Sequence, residues 1–119
     1  MKYERIKEPV WIVSIEHKNS RHHKYDCFDL QMQTIQSQTK CNTWIDSTMA
    51  NYHQWEPIIS AVVRGKGVII SNLKWKDQAK GLVNADSVPD FNYCVERHEL
   101  TEILEDYWES QKPYGKLFK

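Results

Sequence analysis

The sequence predicts an all-β barrel with helices: five strands in the order β-β-β-α-β-β, followed by an amphipathic C-terminal helix. Three observations predict it. Short segments rich in β-branched and aromatic residues alternate apolar with polar side chains at strand period. One short helical stretch, opened by Pro57 and closed by Gly65, separates the third such segment from the fourth. A last segment, 96–110, changes to helical period.

The first strand is VWIVSIEHK, 10–18, which reads as buried on both faces. NSRHHKYD, 19–26, is a polar, basic loop. In CFDLQMQTIQ, 27–36, Phe28, Leu30 and Met32 share one face, while Asp29, Gln31 and Gln33 share the other. This is a strand with one side on a core and one in water. In CNTWID, 41–46, the same parity puts Cys41, Thr43 and Ile45 inside and Asn42, Trp44 and Asp46 outside. A two-turn helix, PIISAVVRG, follows. The fourth strand is GVIISNLKWK, 67–76, then a turn DQAKG, and the fifth strand is LVNADSV, 82–88, ended by Pro89. In 96–110, Leu100, Ile103, Leu104, Tyr107 and Trp108 form one stripe, and Glu99, Glu102, Glu105, Asp106 and Glu109 lie off it. Residues 1–95 thus make the barrel, 96–110 a helix packed on or beside it, and 111–119 a flexible tail. The β-β-β-α-β-β order is that of the five-stranded OB-fold, whose ligands lie across strands 2–3 and between the loops joining strands 1–2 and 4–5.

At 119 residues the chain suits one domain with one core. No apolar run approaches a membrane span, and the N-terminus lacks the apolar stretch of a signal peptide. Three widely spaced cysteines, Cys27, Cys41 and Cys94, without a CxxC pair, suggest free thiols in a reducing cytoplasm. Net charge is zero but segregated: residues 1–80 carry 12 Lys+Arg against 8 Asp+Glu, and residues 81–111 carry one against eight. A neutral whole therefore permits a basic face.

Three stretches resemble the bacterial single-stranded-DNA-binding proteins: RGKGVIISNL (64–73), LVNADSV (82–88) and CNTWID (41–46). The resemblance covers about residues 8–90. It departs at Ser71 and Asn72, where the family has a glycine, in the Tyr3–Glu8 start, and in lacking the Gly/Gln-rich tail with an acidic tip. It implies an OB-fold that binds single-stranded DNA, with stacking tryptophans on the third strand and near the end of the fourth. Trp44 and Trp75 match those positions, Trp75 with an offset of a residue or two.

The residues supply both ingredients that such a ligand needs, cations for phosphates and flat rings for unstacked bases. Lys18, Arg21, Lys24 and Tyr25 lie in or beside the first loop, and Lys74, Lys76 and Lys80 flank Trp75. Bases are expected on Trp44 and Trp75, with Tyr25 or Phe28 as further rings, although alternation puts Phe28 on the core side. It also gives Lys74 and Lys76 one face and Trp75 the other. Asp29 and Asp46 on the outer face favour bases over phosphates there. Trp11 and Trp55 read as core or subunit contact. His17, His22, His23, Cys27 and Cys41 match no common zinc framework, so neither metal nor cofactor is expected. With no GxSxG, Walker loop or HExxH, the chain does not read as an enzyme.

The sequence thus predicts single-stranded DNA binding, with RNA an open alternative, by a homo-oligomer. A second class is an OB-like protein-interaction module that binds a partner protein through the same face, as an accessory subunit of a replication or DNA-transfer complex; helix 96–110 is a separate candidate surface for a protein partner.

Overall fold

The computed structural model describes residues 4–18 and 26–111. Among the described residues, seven strands form one mixed sheet with two α-helices. β1 spans Val10–Lys18, β2 Cys27–Thr34 and β3 Lys40–Asp46; α1 spans Tyr52–Val63; β4 spans Lys66–Ser71, β5 Trp75–Asp77, β6 Leu82–Val83 and β7 Asp90–Glu96; α2 spans Arg97–Ser110. The sheet order is the open series β5-β6-β3-β2-β1-β4-β7. All pairings are antiparallel except β3 with β6, which run parallel through Asn42 and Leu82.

Parity builds the first core. On β2, Phe28, Leu30 and Met32 point inward, and on β3 Cys41, Thr43 and Ile45 do so. They meet Val10 and Ile12 of β1, Val68 and Ile70 of β4, and the α1 face carrying Trp55, Ile58, Ile59 and Val62. A second core lies under α2, where Trp11 and Ile35 pack with Leu100 and Leu104. Gly67 permits that approach: a Cβ there would stand 2.5 Å from the Leu100 Cβ. Trp108 Nε1 donates to the Ile35 carbonyl at 2.6 Å, and the Arg97 guanidinium lies 5.9 Å from the Trp11 ring centroid. Trp11 and Trp55 are therefore core residues, in different cores.

Several boundaries differ from the sequence reading, each for a local reason. β1 is fully buried only at Val10–Ile12, and Ser14, Glu16 and His17 face solvent. β2 stops at Thr34, whose N–H and hydroxyl both bond Thr39 across the hairpin turn. α1 begins at Tyr52, so Pro57 lies inside the helix rather than opening it. Gly65, at φ +85°, follows its C-terminus in the left-handed conformation that favours glycine.

The expected strand 67–76 is two strands. Asn72 turns left-handed at φ +67°, which asparagine tolerates, and its side chain accepts from Arg5 and donates to the Val88 carbonyl. Residues 4–6 run beside the break. Ile6 N–H donates to the Leu73 carbonyl at 2.8 Å and Trp75 N–H to the Glu4 carbonyl at 2.7 Å. The expected strand 82–88 shrinks to Leu82–Val83, because Asn84 Oδ1 accepts the Asp86 N–H and folds the chain into a turn. After Pro89 the chain forms β7, a strand absent from the sequence-based order. A bulge against Ile69 and Ile70 interrupts its pairing with β4.

Candidate functional site

A cleft opens between the outer side of β3 and the segment 82–86. Asn42, Trp44, Lys76, Leu82, Asn84 and Asp86 line it, with Thr43, Val83 and Ala85 at its base, and its volume is about 310 Å³. That size falls within the ~300–1,000 Å³ typical of small-molecule sites.

Each wall is held from behind. Trp44 is on the water side of β3 because Thr43 and Ile45 occupy the core side, and the residue is 41% exposed. Thr43 Oγ1 donates to the Val83 carbonyl at 3.0 Å, tying β3 to β6. Asn51, just before α1, donates its amide to the Ala85 and Ser87 carbonyls at 2.8 and 2.9 Å, and Trp55 Nε1 donates to Ala85 at 3.2 Å. The buried Ser87 hydroxyl accepts the Lys74 N–H at 3.0 Å and donates to the Asn84 carbonyl at 2.6 Å. The Lys74 carbonyl in turn accepts the Asn84 N–H at 2.8 Å. The turn 84–87 is thus clamped by α1 on one side and by the start of β5 on the other.

The polar inventory of the cleft is open to a ligand. The side chains of Asn42, Lys76 and Asp86 make no hydrogen bond or ion pair among the described residues, and Asn84 uses only its Oδ1. On the β2 side, Asp29 accepts from Gln31 at 3.2 Å, and Asp46 accepts the Thr48 N–H and hydroxyl, each at 2.7 Å.

The residues expected to bind nucleic acid divide into four groups. Trp44 and Lys76 share the cleft. Lys74 is exposed and lines a neighbouring hollow with Arg5, Asn72 and Asp86, and Lys80 is exposed on the short turn 78–80. Lys18 donates to Glu16 at 2.7 Å, a bond that raises its pKa. Two rings must be corrected. Trp75 and Phe28 are each 8% exposed and belong to the first core, so neither offers a face to a base. Trp75 turns inward because β5 pairs with β6 opposite the buried Val83, leaving Lys74 and Lys76 outward. Phe28 turns inward with its β2 parity partners, and its ring stacks against His17 at 4.8 Å. Arg21, Lys24 and Tyr25 lie outside the described residues, as do His22 and His23.

Asn42, Asn84 and Asp86 are not among the site residues expected from sequence. Alternation places Asn42 beside Trp44. The other two enter through the parallel β3–β6 pairing and the 84–87 turn, which no local pattern announces. Burial pushes the Cys41 thiol up to about 11, with a contribution from Glu8, so it stays protonated at neutral pH and is no nucleophile. Among the described residues no helix is long and apolar enough to cross a membrane.

No protein-family model matches the chain, and no curated protein or solved structure matches it either.

Proposed function

We propose that the chain is an OB-fold domain that binds single-stranded DNA, with a base stacked on Trp44 and the backbone drawn along Lys76, Lys74 and Lys80. The observation that carries this reading is the cleft itself, in which an exposed indole on one strand and an unengaged ammonium on another face the same space. The topology supports the fold. Three antiparallel strands precede α1, β4 returns beside β1, and β6 pairs parallel to β3. With β4 and β5 read as one strand broken at Asn72, five strands remain in OB order, and β7 is an addition. The cleft then lies where the outer face of strand 3 meets the loops around strands 4 and 5, a usual OB-fold ligand position. Arg21, Lys24 and Tyr25, assigned from sequence alone, would extend the path across the first loop. Function here is binding without bond chemistry: stacking contributes ~1–3 kcal/mol per base, and phosphate contacts add a salt-dependent component.

The test is a fluorescence titration with oligo(dT) at two salt concentrations. The reading predicts a change in tryptophan emission and weaker binding at the higher salt. Lys76→Ala should weaken binding and lower the salt slope by about 0.7 for each phosphate that the lysine neutralises. Absence of binding at low salt would overturn it.

One observation favours the second reading, a protein-interaction module. β7 is an edge strand with Phe91 and Tyr93 41% and 42% exposed, and it leads into the acidic α2. An unpaired edge is a template for strand addition, by a partner protein or by a second copy in a homo-oligomer.

A further inference from the structure

Stacking on an indole tolerates any base, so a cleft built for stacking alone needs no hydrogen-bonding groups at its rim. This cleft has several, and their roles are assignable. Asn84 Oδ1 accepts the Asp86 N–H at 2.9 Å, which leaves Nδ2 as a donor that no described group engages. Lys76 is a second donor. Asp86 carries an exposed carboxylate that no described group engages, an acceptor with two oxygens side by side. A carboxylate repels phosphates, so its place beside the indole suits the edge of a base.

We infer that the cleft selects guanine among the bases of a single strand; this rests on the nucleic-acid reading above. Guanine presents two adjacent donors, N1–H and the 2-amino group, next to one acceptor, O6. With the ring on Trp44, the Asp86 carboxylate accepts both donors, and Asn84 Nδ2 or the Lys76 ammonium donates to O6. The other bases fit less well. Thymine and uracil offer one N–H between two carbonyls, so one carboxylate oxygen meets a carbonyl. Adenine and cytosine set a ring-nitrogen lone pair against the carboxylate. Hydrogen bonds to a charged group are the stronger kind, and two parallel bonds add directional selectivity.

The experiment compares four probes on the full chain: dT11, the same oligonucleotide with one central guanine, the same with inosine in its place, and free dGMP as competitor. The guanine oligonucleotide should bind about tenfold more tightly than dT11. Inosine, which lacks the 2-amino group, should lose most of that gain. Asp86→Asn should abolish the difference in affinity between the guanine oligonucleotide and dT11; the turn survives the change, since only the backbone N–H of Asp86 holds it. Equal affinity for dT11 and the guanine oligonucleotide overturns the guanine assignment and leaves the DNA-binding reading standing. Failure of every oligonucleotide to bind overturns that reading instead. Displacement of the oligonucleotide by dGMP at equal concentration overturns the assignment to a strand and identifies a free guanine nucleotide as the ligand.

Discussion

The stretches around Trp44 and Trp75 look alike in sequence and end in opposite environments. Each is a tryptophan in a strand with polar neighbours, Asn42 and Asp46 for one, Lys74 and Lys76 for the other. Trp44 is 41% exposed and lines the cleft; Trp75 is 8% exposed and packs in the first core. The neighbours at i±1 and i±2 explain the difference. On β3 the buried residues are Thr43 and Ile45, so Trp44 must face out. On β5 the lysines on either side of Trp75 take the outside, so the indole must face in. A cation and a ring adjacent in sequence thus point apart, and the lysine that shares the cleft with Trp44 comes from another strand. Lys76 lines that cleft with Trp44, not with Trp75.

That contrast can be broken most severely at Trp75. Trp75→Ala should destabilise the fold by ~3–5 kcal/mol, the cost of a cavity left by a large buried ring. Trp44→Ala should cost clearly less than Trp75→Ala, since Trp44 is already 41% exposed in the folded chain. Denaturant unfolding of both variants checks this, and equal losses would erase the distinction. A smaller effect is expected at the joint between the two regions. Ser87→Ala removes the acceptor of the Lys74 N–H and the hydroxyl donated to the Asn84 carbonyl. It should cost ~1–3 kcal/mol, and amide exchange at 84–87 should accelerate.

The smallest effect concerns the arm that covers the β4–β5 break. Glu8 accepts the Gln36 and Ser37 N–H groups at 2.7 and 2.9 Å and the Ser37 hydroxyl at 2.8 Å. Burial pushes its pKa up, but these hydrogen bonds, those of Ser37 foremost, outweigh it and hold the carboxyl below its ordinary 4.5. A folded-state pKa below the unfolded one adds stability that is present above about pH 4.5 and is lost as pH falls through the folded value. Acid titration of stability should therefore show a component that Glu8→Gln abolishes. An unchanged acid limb would remove this role.

Much of the sheet was legible in the sequence. The parity of Phe28, Leu30 and Met32 and of Cys41, Thr43 and Ile45 separates inside from outside correctly, and the 96–110 stripe locates the helix that buries Leu100 and Leu104. The breaks were not legible. A left-handed Asn72 splits one apolar run into two strands, and a bulge disguises β7. Asn51, at the N-cap of α1, gives its side chain to Ala85 and Ser87 instead of capping the helix, so its place in the fold is set by long-range bonds. The site was half legible for the same reason. Trp44 follows from alternation, whereas Lys76, Asn84 and Asp86 reach it only through long-range pairing.

Titration of Trp44→Ala and Trp44→Phe with oligo(dT) at low salt tests the central claim most directly. If a base stacks on this ring, the alanine variant loses ~1–3 kcal/mol of binding, about five- to 150-fold in affinity. The phenylalanine variant recovers part of that loss. Parent-like affinity in the alanine variant, with its stability unchanged, would contradict the account.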